Sequence, residues 1–379
     1  MLPLSFAARN LSRSWIRTVQ IAGGTCLAAL LLMAAAAFEM GMRRTLGDQA
    51  DPHNVILLGK GSEESIQRSE IPVRCAAILA SSVKGLKSTL GQVHVSPQIL
   101  YNGYLDCGGR KVETSIRGVD AAAARVHKDF QMLSGAWPGP GQVMVGRHAA
   151  VQMGLPASSL AEGAKVIIDG QSFTVSGCFA VPGSLLEAEV WMNLGELLQV
   201  TKRDTLSCVV VTLDTAEFGD IEAFAAARLD LETAAVRETD YYARLSGFYA
   251  PIRAMVWLCS ALVAFGAVFG GFNTLFTAFG GRKRELAALQ AIGFPRWQLA
   301  WSLLQEALLA CLLGAAAALF IAVGLLDGLQ ASFAGGVFIL NFGPGILLLG
   351  LLASVCIAVL GLIAPVWVTL RPALVDSLR

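Results

Sequence analysis

Chemistry at a protein site needs a few polar or nucleophilic groups brought to one place, and this sequence holds few candidates. Its four histidines, His53, His94, His127 and His148, are scattered with no partner at helical spacing and read as ordinary surface or core positions. "LLGKGSEE" gathers Gly59, Lys60 and Ser62, but lacks the four-residue gap between glycines and the helix start that a phosphate-binding loop requires. There is no Gly-x-Ser-x-Gly elbow and no His-Glu-x-x-His pair, and "GAWPGPGQVMVG" reads as turns in which Pro and Gly set the dihedrals. What remains is a charged island, "GRKRELAALQAIGFPRWQLAWSLLQEA", from Gly281 to Ala307. It carries Arg282, Lys283, Arg284 and Glu285 in a row, then Arg296, and sets a lone carboxylate, Glu306, inside the next apolar run.

The elements around that island are membrane helices. Only 15% of residues are charged while 55% are hydrophobic, and the mean hydropathy is +0.59. No charged residue falls between Arg17 and Glu39, between Arg253 and Arg282, or between Asp327 and Arg371, and only Glu306 interrupts the run from Arg296 to Asp327. Each interval reaches the roughly 20 residues that a bilayer crossing needs. Four spans are therefore expected, over Val19 to Phe38, Met255 to Phe279, Leu299 to Leu325 and Ile346 to Val368. The connection from Asp327 to Gly345 contains Gly, Asn and Pro and reads as an irregular outer-face link. The first span has a competing reading as a secretory signal peptide ending in "AAAAF", but its apolar stretch is long for a signal core and a retained anchor is preferred.

Orientation follows from Lys and Arg, which stay on the cytoplasmic side. Arg9, Arg13 and Arg17 precede span one, the island separates spans two and three, and Arg371 and Arg379 follow span four. Both termini and the island are thus placed in the cytoplasm, and residues 41–250 outside. Arg43 and Arg44 run against the rule, but they flank a large translocated domain, where it weighs less. The net charge of +1 argues against nucleic acid as a partner.

Roughly 200 residues between spans one and two are enough for a folded unit. Strands are expected in Asn54 to Gly61, Lys111 to Asp120, Ala164 to Phe179 and Leu206 to Leu213, with Asp169 and Gly170 marking a hairpin turn. Helices are expected over Cys75 to Leu90, Ile221 to Leu231 and "ELLQV", and the mixed stretch from Glu222 through Arg244 reads as a helix continuing towards span two, bent near Pro251. The fold class is an α-helical membrane protein with four transmembrane helices and an α+β extracytoplasmic domain between helices one and two. Cys26, Cys259, Cys311 and Cys356 fall in the spans. Cys75, Cys107, Cys178 and Cys208 fall in the outer domain with no zinc or redox spacing, leaving one of three disulfide pairings or buried thiols equally open.

Within the island, Leu286, Leu289 and Ile292 recur every three residues, Gly293 sits at a C-cap position and Pro295 prevents continuation. A short helix near 282–296 is expected. A solvated turn explains the basic residues as topology markers; it does not explain the regular apolar spacing. On spacing alone the two readings balance.

The ordered set of motifs resembles the four-span permease of MacB/FtsX-type ABC transporters. Arg284, Glu285 and Leu286 through Leu289 to Ile292 and Gly293 are similar to that family's cytoplasmic coupling helix. Arg9, Asn10, Leu11, Arg13, Arg17 and Thr18 match its amino-terminal motif. Gly361, Pro365, Pro372, Leu378 and Arg379 resemble its closing one, with Val366 where a small residue is common. "SIRGVD", "GQVMVGRHAA", "AKVIIDGQSFTVSGCF" and "VWMNLGELLQV" are similar to the MacB-like outer domain.

The resemblance implies three parts: an amino-terminal segment and helix in residues 1–40, a MacB-like periplasmic core domain in 41–250, and an FtsX-like domain in 251–379. It implies a non-catalytic permease, in the cell inner membrane, paired with a second permease as a homodimer or heterodimer. A separate ABC ATPase would bind ATP and Mg, and a periplasmic adaptor and outer-membrane channel would complete the path. Its function would be mechanotransmission, moving an amphipathic cargo such as lipoprotein, lipid, peptide or drug; the alternative is an FtsX-like signalling subunit that regulates a cell-wall hydrolase. Glu306 is costly in hydrocarbon, and its place near the cytoplasmic side favours a structural or coupling role over a transport site.

The topology is checked by placing single cysteines in a background without the native ones. A membrane-impermeant thiol reagent is expected to label position 159 from outside intact cells and position 290 only after lysis.

Overall fold

The computed structural model describes residues 15–46, 50–280, 288, 290–333 and 336–370. The chain divides into two compact units, one of residues 1–40, 250–329 and 339–379, the other of 41–249 and 330–338.

The first unit is helical. Its helices are α1 (Trp15–Leu46), α6 (Ala250–Gly280), α7 (Arg296–Ile321) and α8 (Pro344–Leu370), each containing a segment long and apolar enough to cross a bilayer. α1, α6 and α8 extend the expected spans at both ends, because helical hydrogen bonding continues into the interface where charged residues begin, whereas α7 starts before Leu299 and gives way to a π-helical turn at Ala322–Leu326. Packing relies on small side chains. Ile21 and Ala28 of α1 meet Leu303, Ala307, Ala310 and Cys311 of α7 and Ile357 and Ala358 of α8. Further along α1, Ala29, Met33 and Ala37 meet Ala318 and Ala322, with Phe342 and Ile346 closing the cluster. Two glycines set the approach distance: a Cβ on Gly314 would run into the Ala22 carbonyl of α1, and one on Gly350 would strike the Met33 side chain. Thr25 donates to the Ile21 carbonyl at 2.8 Å, satisfying its hydroxyl within the hydrocarbon zone.

The second unit is α+β. Ten strands form one mixed sheet: β1 (Asn54–Gly59), β2 (Val95–Cys107), β3 (Arg110–Val119), β4 (Gln131–Gly135), β5 (Gln142–Gly146), β6 (Lys165–Ile168), β7 (Gln171–Ala180), β8 (Val190–Asn193), β9 (Cys208–Thr212) and β10 (Thr233–Arg237). Their order is β10-β1-β9-β2-β3-β8-β5-β7-β4, and β6 pairs with both β7 and β2. Strand β2 joins the two halves: Val95 to Gln98 pair with β9, and Ile99 to Cys107 pair with β3. β1 and β9 are buried at every residue, as continuous apolar runs covered on both faces should be. β7 alternates buried and less buried positions, the period-two pattern of a strand with one core face.

Several expectations change in this unit. The helix expected over Cys75 to Leu90 ends early: α2 spans Cys75–Ser82, and Ser88–Thr89 is a strand of a small hairpin, because Gly85 takes φ +83° and turns the chain. Helix α4 (Phe218–Ala227) starts before Ile221, held by a reciprocal cap between Glu217 and Asp220, and gives way to a 3-10 turn at Leu229–Leu231. The expected continuous helix over Glu222 to Arg244 is interrupted by β10, whose partner β1 outweighs local propensity. Helix α5 (Glu238–Phe248) then ends at Tyr249, and Pro251 lies in the first turn of α6, where a missing N–H costs nothing. The hairpin at Asp169 and Gly170 forms as expected, with φ of +46° and +85°. "ELLQV" lies in α3 (Leu194–Thr201). The stretch "GQVMVG", expected as turns, is β5, flanked by β7 and β8. All eight cysteines are free thiols. Burial raises the Cys75 thiol to about 11 and the Cys208 thiol to about 12, so neither forms a reactive thiolate near neutrality.

Replacing Gly314 by Ala is expected to cost about 1–3 kcal/mol, since α1 and α7 must separate to admit the methyl group. Gly270→Ala, where a Cβ meets nothing within 4 Å, serves as the control and is expected to leave the unfolding midpoint in detergent unchanged or raised.

Candidate functional site

Of the island residues, Arg284, Glu285, Leu286 and Leu289 lie outside the described residues. The part that is described ends a helix. The Ile292 amide donates to the Ala288 carbonyl at 3.0 Å and the Gly293 amide to the Gln290 carbonyl at 3.0 Å. Gly293 then takes φ +107°, a region that L side chains avoid, so glycine at this position stops the helix cheaply. Pro295 precedes α7, which opens at Arg296. Ile292 is 76% exposed, so an apolar side chain on this short turn has no cover among the described residues.

Glu306 lies on α7, 5% exposed, and forms an ion pair with Arg17 of α1. The pair answers the cost of a carboxylate in hydrocarbon and joins two spans that are far apart in sequence. At the other end of α1, Glu39 accepts a hydrogen bond at 2.5 Å from the indole N–H of Trp257 on α6. Twenty-two residues separate Arg17 from Glu39, about 33 Å of helix at 1.5 Å per residue, close to the thickness of the hydrocarbon core. The two polar contacts thus tie α1 to different neighbours at opposite ends of its apolar stretch. Between them Thr25 reaches the Cys311 sulfur at 3.4 Å.

The second unit holds a buried polar network that the sequence reading did not single out. Arg117 on β3 makes a two-point contact with Glu189, its Nε and Nη2 each 2.6 Å from a carboxylate oxygen. Its Nη1 donates to Gln98 Oε1 at 2.9 Å, the Gln98 amide nitrogen lies 2.9 Å from His127 Nε2, and the Trp191 indole donates to Glu189 at 3.1 Å. Burial alone would lower the Arg117 guanidinium, but the Glu189 charge and hydrogen bonds more than offset it. His127 is pushed down to about 3, by burial first and then by Arg117, so its ring is neutral and accepts from Gln98. The aromatic rings of Phe179 and Phe130 lie 4.3 and 5.7 Å from that of Trp191 and seal one side of the network. A signal was present: Arg117 stands among buried positions of β3, and Glu187 and Glu189 interrupt an apolar run, a pattern that only pairing permits. Beside His127 is a cavity of about 10 Å³, no larger than one water. Among the described residues no group of His, Cys, Asp or Glu has the arrangement to hold a metal ion.

Two family models match the chain. The MacB-like periplasmic core domain covers residues 21–227, and the FtsX-like permease C-terminal domain covers 257–373. This chain belongs to the MacB/FtsX-type permease family. Among solved structures, the periplasmic region of MacB from Actinobacillus actinomycetemcomitans matches at 12% identity and TM-score 0.40, covering 50% of this chain and 91% of that one. The extracellular domain of the ABC-type transporter YknZ from Gram-positive bacteria matches at 15% identity and TM-score 0.38, covering 48% and 97%. No curated protein matches. The family model order agrees with a MacB-like domain between spans one and two of an FtsX-like permease, so this is an ABC transporter permease with an extracytoplasmic domain. MacB/FtsX-type permeases work with an ATPase partner.

In this permease, removing one member of the Arg17–Glu306 pair takes the ion-pair contact away from the largely buried charge that remains. Arg17→Ala and Glu306→Ala are each expected to lower stability by about 3–5 kcal/mol, and the double variant by clearly less than their sum. Thermal unfolding in detergent measures all three.

Proposed function

We propose that this chain is the membrane subunit of a mechanotransmission machine, non-catalytic itself, in which ATP hydrolysis on a separate subunit moves the outer domain. The observation that carries the reading is the order of the two family domains around four spans, which sets a folded α+β unit between the first and second membrane helices. In this reading ATP and Mg are held by an ABC ATPase, the kind of partner with which permeases of this family work.

In this reading two permease copies, alike or homologous, dock on two ATPase subunits. The segment before Gly293 is the contact with the ATPase, through Arg284, Glu285, Leu286, Leu289 and Ile292. Gly293 supports the assignment by ending the turn so that α7 leaves it abruptly at Arg296, letting a push on the turn reach α7 directly. From α7 the Arg17–Glu306 pair passes the displacement to α1, and α1 leads into the outer domain. Glu306 is thereby a positioning residue for coupling. The termini are cytoplasmic, the membrane is the cell inner membrane, and the outer domain is periplasmic. The cargo is an amphipathic molecule, a lipoprotein, lipid, peptide or drug, handed on to an adaptor and an outer-membrane channel.

Replacing Glu285 by Ala, or Gly293 by Val, is expected to reduce ATPase stimulation in the reconstituted complex to the level of the ATPase alone, with insertion and expression unchanged. Full stimulation in both variants overturns the docking assignment.

A further inference from the structure

The small hairpin of Ser88–Thr89 and Gln92–Val93 turns through Leu90 and Gly91, which take φ of +53° and +78°. A two-residue turn with both central residues in the left-handed region suits twisted strands, and Asn, Asp or Gly ordinarily fills its first position. Here that position holds Leu, whose side chain gains nothing from a left-handed backbone and is 99% exposed. The other non-glycine residues with positive φ, among those described, are Asp129, Asp169, Lys202 and Glu232, all of them charged. An apolar side chain thus stands where both backbone geometry and water disfavour it.

The root of the hairpin fixes the direction of its tip. The Lys87 amide donates to the Thr212 carbonyl at 2.9 Å, and the Thr212 amide donates to the His94 carbonyl at 3.1 Å. Thr89 Oγ1 lies 2.8 Å from Nε2 of buried His94. Thr212 ends β9 and pairs with Asn54, the first residue of β1. Leu90 precedes His94 in the chain and therefore projects past this end of the sheet, by roughly 10 Å at about 3.3 Å per residue.

Both connections to the membrane helices leave the sheet at the same end. The chain reaches Asn54 from α1, which ends at Leu46. Arg237, the last residue of β10, pairs with Val55; α5 begins at the next residue and is followed after Tyr249 by α6. The Asn54 side-chain amide donates to Glu238 Oε2 at 2.8 Å and so ties the incoming segment to the outgoing one. β2, by contrast, runs from Val95 to Cys107 and carries the turn before Arg110 to the opposite end. Since α1 and α6 each hold a segment able to cross a bilayer, the end that bears Leu90 is the one the chain holds towards the lipid. From Glu238 to Arg253, where the apolar stretch of α6 begins, the contour is at most roughly 25 Å at 1.5 Å per helical residue. The hairpin takes up roughly 10 Å of it, and the headgroup layer is itself on the order of 6 Å deep.

We infer that this hairpin is a lipid anchor: Leu90 enters the interface of the leaflet that faces the outer domain, and Lys84 and Lys87 meet lipid phosphates, giving the domain a third attachment to the membrane beside its two chain connections.

The chemistry around the tip suits that contact. From Val83 to Ser96 there is no Asp or Glu. Lys84 and Lys87 are exposed, and among the described residues neither forms an ion pair. Their long stems let the ammonium groups reach phosphate oxygens while the turn sits lower in the interface. Exposed Asp214, whose amide donates to the Gly85 carbonyl at 3.1 Å, offsets part of their charge. Leu90 therefore supplies the part of the attraction that salt does not screen, and the lysines supply the part that it does. The consequence for cargo rests on the mechanical reading proposed above; the anchor needs only the two spans and does not.

Depth-dependent quenching on the full-length protein in lipid nanodiscs tests it. Leu90→Cys and, as a control at the opposite end of the sheet, Lys111→Cys are made in a background without the native cysteines and labelled with a bimane thiol reagent. Both positions are exposed, so neither change disturbs packing. The nanodiscs hold phosphatidylcholine and phosphatidylglycerol, with or without a phosphatidylcholine that carries a nitroxide near its headgroup. The label at position 90 is expected to lose about half or more of its emission to the nitroxide lipid, and the label at position 111 to lose none. Equal quenching at the two positions overturns the anchor. Lys84→Gln combined with Lys87→Gln is expected to reduce the quenching at position 90, and an unchanged value overturns the phosphate contact. Shielding of position 90 from a water-soluble thiol reagent in native membranes, without quenching in nanodiscs, assigns the tip to a protein partner and also overturns the lipid reading. ATPase stimulation is not read here, so the anchor and the transmission reading fail separately.

Discussion

Ionic groups in this protein are held where the dielectric is low only if another group answers their charge, and the arrangement of both units follows from that constraint. In the membrane unit the constraint fixes the register of α1. Arg17 and Glu39 bound an apolar stretch about one hydrocarbon thickness long, and each is engaged by a different helix, Arg17 by Glu306 of α7 and Glu39 by Trp257 of α6. Sliding α1 by even one turn would break both contacts and place charge in hydrocarbon. The small residues between them, Ala28, Ala29 and Gly314 among others, then need only supply close contact, since the polar groups already select the register.

The outer unit meets the same constraint in a different way. Arg117 is buried on the sheet and would be intolerable there without the two-point contact with Glu189, which in turn orients Gln98, His127 and Trp191. Three neighbouring strands are organised around that network, because β3 carries Arg117, β2 carries Gln98 and β8 carries Trp191. Glu238 is the exception. It is buried and hydrogen-bonded but has no cation committed to it, and its carboxyl rises to about 7 as a result.

Much of this was legible in the sequence, for reasons that differ by element. Charge-free runs of at least 20 residues permit little besides membrane helices, and all four appear. The Asp-Gly turn between Ile168 and Gln171 depends on local backbone geometry, and it formed as read. The readings that failed depended on distant partners. The stretch "QVMVG" looked like turn sequence because its flanking Gly and Pro residues dominate locally, yet it is an inner strand between β7 and β8. Thr233 to Arg237 looked helical by composition and became strand through pairing with β1, some 180 residues earlier.

The sequence by itself determined the number of spans, their order around an inserted α+β domain, and the place where the turn before α7 ends, because hydrophobic length, charge exclusion and the φ of a single glycine are local quantities. Tertiary structure alone decided which charges meet. Arg17 and Glu306 are 289 residues apart and Asn54 and Glu238 are 184 apart. Nothing in their neighbourhoods marks them as partners, since a carboxylate's pairing and its proton affinity depend on what the fold packs against it and on how much water the fold removes.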